Sequence, residues 1–310
     1  MSSGNILFLL IMFLGPLVSI SSSNWIACWA GLELSFLGAI PLLMMDKGEF
    51  SLSKEAVIKY FCVQALGSGF LMVGGVMFFM NSMSLWVWDL LFLTGLFMKL
   101  GVFPMHFWVP SVIAGLNWWA VFIILVWQKV APLAFLSNIV ENSPWMGEMI
   151  LVFGNISALV GAIIGLNQTS VRAMLGGSSI AHTGWLCIGV VSGSFWIYFL
   201  IYCLSFGLVM LFFLFEEEIM IGFGILGLSG LPPFIMFIGK WSILKSFLYS
   251  GYSWFFLILP LFSALISLFF YLNFFYSYYL KFKFDLEKKL VSIYSVVFII
   301  MSGAIYMFFI

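Results

Sequence analysis

The chain has 310 residues, of which 64% are hydrophobic and only 8% charged, and its formal net charge is zero. Length alone would allow about two soluble domains, but no stretch is polar enough to clothe one and the mean hydropathy is +1.18, so composition predicts an all-α polytopic membrane protein with a single transmembrane domain over 1–310. The absence of a basic excess argues against nucleic acid and leaves membrane lipids as the surroundings.

A membrane-crossing helix needs roughly 20 apolar residues, and the spans follow in chain order. The first run, 5–22, lacks both the positive start of a secretory signal and the Arg-rich pattern of a transit peptide, which predicts a retained span made beside its destination membrane. The second, 24–45, carries Glu33 at its middle in WAGLELSFLGAI. The third, 56–80, begins beside Lys59, a lysine placed to snorkel. The fourth, 84–103, opens near the interfacial Asp89 and carries Lys99, after which MKLGVFPMHFWVP sets Gly101, Pro104, His106 and Pro110 in quick succession. Pro104 has no N–H and crowds the Leu100 carbonyl, so the helix should open there, leaving carbonyls that could solvate the Lys99 ammonium.

The fifth span, 118–138, holds Lys129 too far from either end to snorkel, and Pro132 leaves the Gln128 carbonyl without its helix donor. Spans 147–166 and 172–192 follow, the latter with His182 in SSIAHTGW, and then 195–215. Between 219 and 250 a run too short to cross, IMIGFGILGLSG, is interrupted by LPP before a second run carrying Lys240 and Lys245. Lys245 again suits snorkelling. Spans at 254–279 and 290–310 flank the polar loop KFKFDLEKK, 281–289. Glu141, Glu148, Asp285 and Glu287 read as solvated loop or span-end charges.

Charge placement decides the count. If 219–250 is one broken span there are about 11 in all, and Lys47, Lys54, Arg172, Lys281, Lys283, Lys288 and Lys289 then share one side with the N-terminus. Acids at 216–218 fall there too but weigh little in the positive-inside rule. Both broken spans read G-x-x-P, at Gly101 with Pro104 and at Gly230 with Pro233, in comparable places of two five-span groups. Interrupted spans at corresponding positions point to internal repeats, here 1–138 and 147–279 followed by a C-terminal helix at 290–310.

An ionised side chain at the bilayer centre costs roughly 2.5–3.5 kcal/mol, so Glu33, Lys99, Lys129 and Lys240 need a reason to be there. One reason is interhelical glue. The other is a relay, in which each site's charge alters its neighbour's hold on a proton, because burial disfavours the charged form of lysine and carboxylate alike. His106 and His182 could extend such a relay or serve as hydrogen-bonded structure. The four cysteines, Cys28, Cys62, Cys187 and Cys203, lie in apolar runs without CxxC spacing and are expected to be small buried hydrophobes. Two histidines are too few for the axial ligands of a two-haem cytochrome, so no redox centre is expected.

The stretches EAVIKYFCVQALGS (55–68), MKLGVFPMHFWVP (98–110), WQKVAP (127–132), GLNQTSVR (165–172), SSIAHTGW (178–185) and LSGLPPFIMFIGKW (228–241) resemble, in order, the antiporter-like membrane subunits of respiratory complex I. The resemblance implies two inverted repeats of five helices, each with a discontinuous helix. It matches Glu33 to an intramembrane glutamate, Lys99 and Lys240 to lysines of the two broken helices, and Lys129 to a central-axis lysine. It also implies a cofactor-free, proton-translocating subunit of NADH:ubiquinone oxidoreductase, with NADH, FMN, iron-sulfur clusters and quinone held by other subunits and membrane-arm subunits as partners. The span count resembles the shortened animal form, in the mitochondrial inner membrane with the N-terminus in the matrix. Ser111, Ala173 and Gly177 depart from the family pattern, which puts an accessory loop carboxylate in doubt and leaves the core charges intact. A cation/proton antiporter component and a structural subunit without a proton path are the competing readings.

Overall fold

A chain surrounded by lipid must satisfy its backbone groups internally. The computed structural model describes residues 3–44, 50–80, 86–216 and 218–281, and every regular element among them is a helix. The span expected at 290–310, Lys47 and the loop charges from Lys283 onward lie outside the described residues. The chain divides into two compact units, Met1–Phe153 and Gly154–Ile310.

The first unit contains α1 (Ser3–Ser21), α2 (Trp25–Met44), α3 (Phe50–Met80), α4 (Trp86–Leu100), α5 (Trp108–Gly115), α6 (Trp118–Leu125), a 3-10 turn at Trp127–Lys129, α7 (Val130–Asn142) and the start of α8 (Pro144–Leu166). The second holds the rest of α8, then α9 (Val171–Ser192), α10 (Phe195–Phe215), α11 (Glu218–Ser229), α12 (Ile235–Tyr249), a 3-10 turn at Trp254–Leu257 and α13 (Ile258–Lys281). Among the described residues eight helical stretches are long and apolar enough to cross a membrane. The expected fourth and ninth spans are not among them, because each is cut by its break.

Both breaks have the same local cause. Gly101 (φ 72°) follows the end of α4 and Gly230 (φ 79°) follows the end of α11, a left-handed backbone that ends a helix and that glycine adopts without a Cβ clash. After Gly101 the chain runs through turns to Phe107 before α5 begins. The freed carbonyls are taken up locally: the Phe97 carbonyl accepts from the Gly101 and Val102 amides at 2.8 and 3.0 Å, and the Met98 carbonyl accepts from the Trp108 indole at 3.1 Å.

The fifth span is also interrupted, more than the sequence led us to expect. Pro132 cannot donate to the Gln128 carbonyl, and the helix tightens into the 3-10 turn that bears Lys129. That turn is pinned from outside. Gln128 Nε2 donates to the Ser35 carbonyl at 3.0 Å, Ser35 Oγ lies 3.3 Å from Gln128 Oε1, and Trp127 Nε1 donates to the Met12 carbonyl at 3.0 Å. Met12 is four residues before Pro16, so its carbonyl is the one that this proline orphans within α1. One proline's missing donor is thus supplied by the residue beside another's.

Lipid tails are as apolar as leucine, so helix association here rests on packing and on such polar contacts. In the second unit α9 is buried along nearly its whole length, from Ala173 to Val190. It packs against α10, α12 and α13, and Ser170 caps its start by accepting from the Ala173 amide at 3.4 Å. The expectation that all four cysteines are buried holds for Cys28 and Cys187. It fails for the exposed Cys62 and only half holds for Cys203. Cys62 lies on the outward face of α3 with Ile58, Phe61 and Leu66.

Replacing Trp127 with phenylalanine keeps an aromatic ring and strands the Met12 carbonyl. An unsatisfied buried polar group costs about 1–3 kcal/mol, so Trp127→Phe should lower the thermal midpoint of the purified protein, whereas an unchanged midpoint would show that the contact adds nothing.

Candidate functional site

In the first unit, α2 presents Glu33 and the last turn of α4 presents Lys99. Lys99 Nζ lies 2.7 Å from Glu33 Oε1, with side-chain exposures of 4% and 19%. The ammonium is also 5.8 Å from the centre of the Phe36 ring, and Tyr60 and Trp108 continue that aromatic wall at ring separations of 5.8 and 5.7 Å. The sequence led us to expect freed carbonyls around Lys99. Instead Trp108 takes the Met98 carbonyl and Lys99 reaches across to a carboxylate.

The carbonyl arrangement occurs in the second unit. Lys240 Nζ donates to the Ser229 carbonyl, at the last residue of α11, at 2.7 Å, and stands 5.9 Å from the Trp185 ring centre. A Cβ at position 230 would come within 2.9 Å of this ammonium, so Gly230 both ends the helix and leaves room for the lysine. Each ammonium therefore sits at the C-terminal, partially negative end of a broken helix, Lys99 from within its own last turn and Lys240 from across the gap.

Lys129 is buried in its 3-10 turn beside the Gln128–Ser35 contact. His106 lies in the first break, buried, with Phe103 and Phe107 as ring neighbours at 5.7 and 4.2 Å and no hydrogen-bond partner for Nδ1 among the described residues. His182, in the middle of α9, has Nδ1 2.8 Å from the Tyr198 hydroxyl and Nε2 3.3 Å from the Tyr271 hydroxyl. Tyr202 packs beside it at 5.2 Å. The sequence reading did not single out these tyrosines. Their signal was available: Tyr198 and Tyr202 are four apart in an otherwise apolar span and so share one helix face.

Several other described charges are exposed. Lys59 pairs with Glu55 at 2.6 Å, one turn apart with both side chains exposed, and Lys245, Glu141 and Glu148 are exposed. Among the described residues no three His, Cys, Asp or Glu side chains are grouped so as to hold a metal ion.

Residues 22–220 match the family described as NADH:quinone oxidoreductase/Mrp antiporter, transmembrane. The NADH-ubiquinone oxidoreductase chain 2 of Albinaria caerulea is 35% identical over 272 residues, covering 88% of each chain. The chain 2 of Mytilus edulis is 36% identical over 316 residues, covering 95% of this chain and 94% of its own. The chain belongs to the NADH-ubiquinone oxidoreductase chain 2 family. Among solved structures, respiratory complex I from Thermus thermophilus with bound aureothin contains a chain of TM-score 0.81 and 24% identity, covering 96% of this chain and 77% of that one. The Mrp complex from Dietzia gives a TM-score of 0.76 at 15% identity, covering 86% of this chain and 59% of that one. At these identities the structural likenesses establish a shared antiporter-like fold.

Removing one partner of a buried ion pair leaves an uncompensated charge and typically costs about 3–5 kcal/mol. Lys99→Met and Glu33→Gln should each reduce the amount of stably folded protein, and the double variant should recover most of the loss. Strictly additive losses would show that the two side chains do not interact.

Proposed function

We propose that this chain is a proton-translocating subunit of the membrane arm of NADH:ubiquinone oxidoreductase, set in the mitochondrial inner membrane with its N-terminus on the matrix side. It holds no redox group of its own in this reading. NADH, FMN, iron-sulfur clusters and quinone belong to other subunits, and neighbouring membrane-arm subunits are its partners. The observation that carries the reading is the Lys99–Glu33 pair at the first helix break, with a second lysine, Lys240, at the second.

Burial makes the charge of each partner depend on the other. Two unit charges about 4 Å apart attract by on the order of 4 kcal/mol even at an effective dielectric of about 20. That is about a thousandfold in a proton equilibrium. When a proton neutralises Glu33, the Lys99 ammonium loses its partner in apolar surroundings and gives up its own proton more readily; when Glu33 is ionised again, Lys99 is recharged. Lys129 follows in chain order as the next station and Lys240 as the far one, with His106 and His182 as accessory sites. Energy released by electron transfer elsewhere in the assembly would drive the switch at the first pair.

A cation/proton antiporter subunit is the second reading, supported by the family's Mrp members and by the likeness to the Dietzia complex. Co-migration of the chain with NADH dehydrogenase activity in mild detergent separates the two readings, since an antiporter subunit would leave that activity behind.

Lys129→Met keeps the bulk of the side chain and removes its proton site. In a fully assembled complex it should lower proton pumping per NADH oxidised, or slow turnover and pumping together by about tenfold or more. Unaltered stoichiometry at unaltered turnover would remove Lys129 from the path, and blocked assembly with normal pumping per assembled complex would favour a purely structural role.

A further inference from the structure

α12 lays Ile238, Trp241, Lys245 and Tyr249 along one face, at the three- and four-residue spacing of a helix stripe. With the first turn of α10 this face lines a groove of about 340 Å3, a size within the roughly 300–1,000 Å3 of small-molecule sites. α10 and α12 pack together, and Ser194 Oγ lies 2.7 Å from Ser246 Oγ, so the start of α10 is level with the end of α12. The groove therefore has a direction. Its inner end is made by Ile197 and Ile238, and its outer end by Ser194, Ser246, Lys245 and Tyr249. From Ile238 to Tyr249 the face runs for roughly 16 Å.

The exposed Lys245 has no carboxylate at its end of the unit. The sequence holds no Asp or Glu between Glu148 and Glu216, nor between Glu218 and Asp285. Glu216 and Glu218 sit where α10 ends and α11 begins, and Ser194 is at the other end of α10, roughly 30 Å away. Snorkelling explains why a lysine near a helix end reaches outward. It does not explain the hydroxyl cluster beside it. Ser246 Oγ can donate to the Ile243 carbonyl at 3.0 Å and Ser192 Oγ to the Gly189 carbonyl at 3.4 Å. The buried Ser194 hydroxyl then has its proton to give to an acceptor brought from outside.

We propose that this groove is a binding site for an anionic phospholipid, its phosphodiester held by Lys245 and Ser194 and an acyl chain lying inward over Ile197 and Ile238. A lysine at a membrane surface attracts anionic headgroups. Trp241 and Tyr249, 46% and 81% exposed, are of the aromatic kind that settles at headgroup level. With no carboxylate present to receive an ammonium, a headgroup of net negative charge matches the site where a zwitterionic one would leave its amine unpaired. The inference needs only a chain embedded in lipid and stands apart from the relay reading.

The test uses the assembled complex, purified in mild detergent and reconstituted into phosphatidylcholine nanodiscs with a trace of phosphatidylglycerol bearing a photoreactive diazirine on its acyl chain. After illumination, labelled peptides are mapped by mass spectrometry. Label should fall on the α10 and α12 residues of the groove, displaced by excess phosphatidylglycerol but not by excess phosphatidylcholine or by water-soluble glycerol phosphate. Lys245→Met should cut this label by about fivefold, Lys245→Arg should restore most of it, and Ile197→Trp, which fills the inner groove, should also cut it. The competition arms use the unaltered chain and so read the site even where a variant fails to assemble. Absence of label from the groove, equal displacement by phosphatidylcholine, or label unchanged in both Lys245→Met and Ile197→Trp overturns the proposal. Displacement by glycerol phosphate would assign the site to a free phosphate instead, and a zero-length cross-link from Lys245 to a carboxylate of another subunit would assign it to a protein partner.

Discussion

The ion pair between Lys99 and Glu33 is the contact on which the first half of the molecule turns. Neither group would be stable alone where it sits: the lysine is almost wholly buried, and the carboxylate is mostly so. The helix that carries Lys99 stops two residues later at a left-handed glycine, so the ammonium lies at the negative end of the helix dipole as well as against the carboxylate. Its stability and its capacity to switch share one cause. A pair held in a low-dielectric setting is strong when both partners are charged and becomes unfavourable for the survivor when one is neutralised.

The second half solves the same problem differently. Lys240 has a backbone carbonyl as its partner, a group that cannot take up a proton and so cannot switch the lysine by changing charge. Any change of state at Lys240 must come from another titratable group.

Much of this was legible in the sequence. Apolar runs located the spans among the described residues, and the two G-x-x-P signatures located the breaks to within a few residues, because glycine and proline act on the backbone directly. What the sequence could not supply was partner choice. It suggested carbonyl solvation for Lys99, yet the lysine meets the Glu33 carboxylate and the indole of Trp108 takes the Met98 carbonyl, a contact ten residues apart that depends on how the break folds. The 3-10 turn at Lys129 was foreshadowed by Pro132 but not its anchoring by Ser35 and Met12, which lie more than ninety residues away. Long-range hydrogen bonds leave little trace in local pattern.

If charge switching at the first break is the heart of the function, Glu33 must change protonation while the complex works. Infrared difference spectroscopy of the assembled complex, resting against turning over with NADH, reports this through the C=O stretch of a protonated carboxyl group. The account predicts a turnover-dependent carboxyl band that is abolished in Glu33→Gln. A spectrum in which no carboxyl band depends on Glu33 would contradict it.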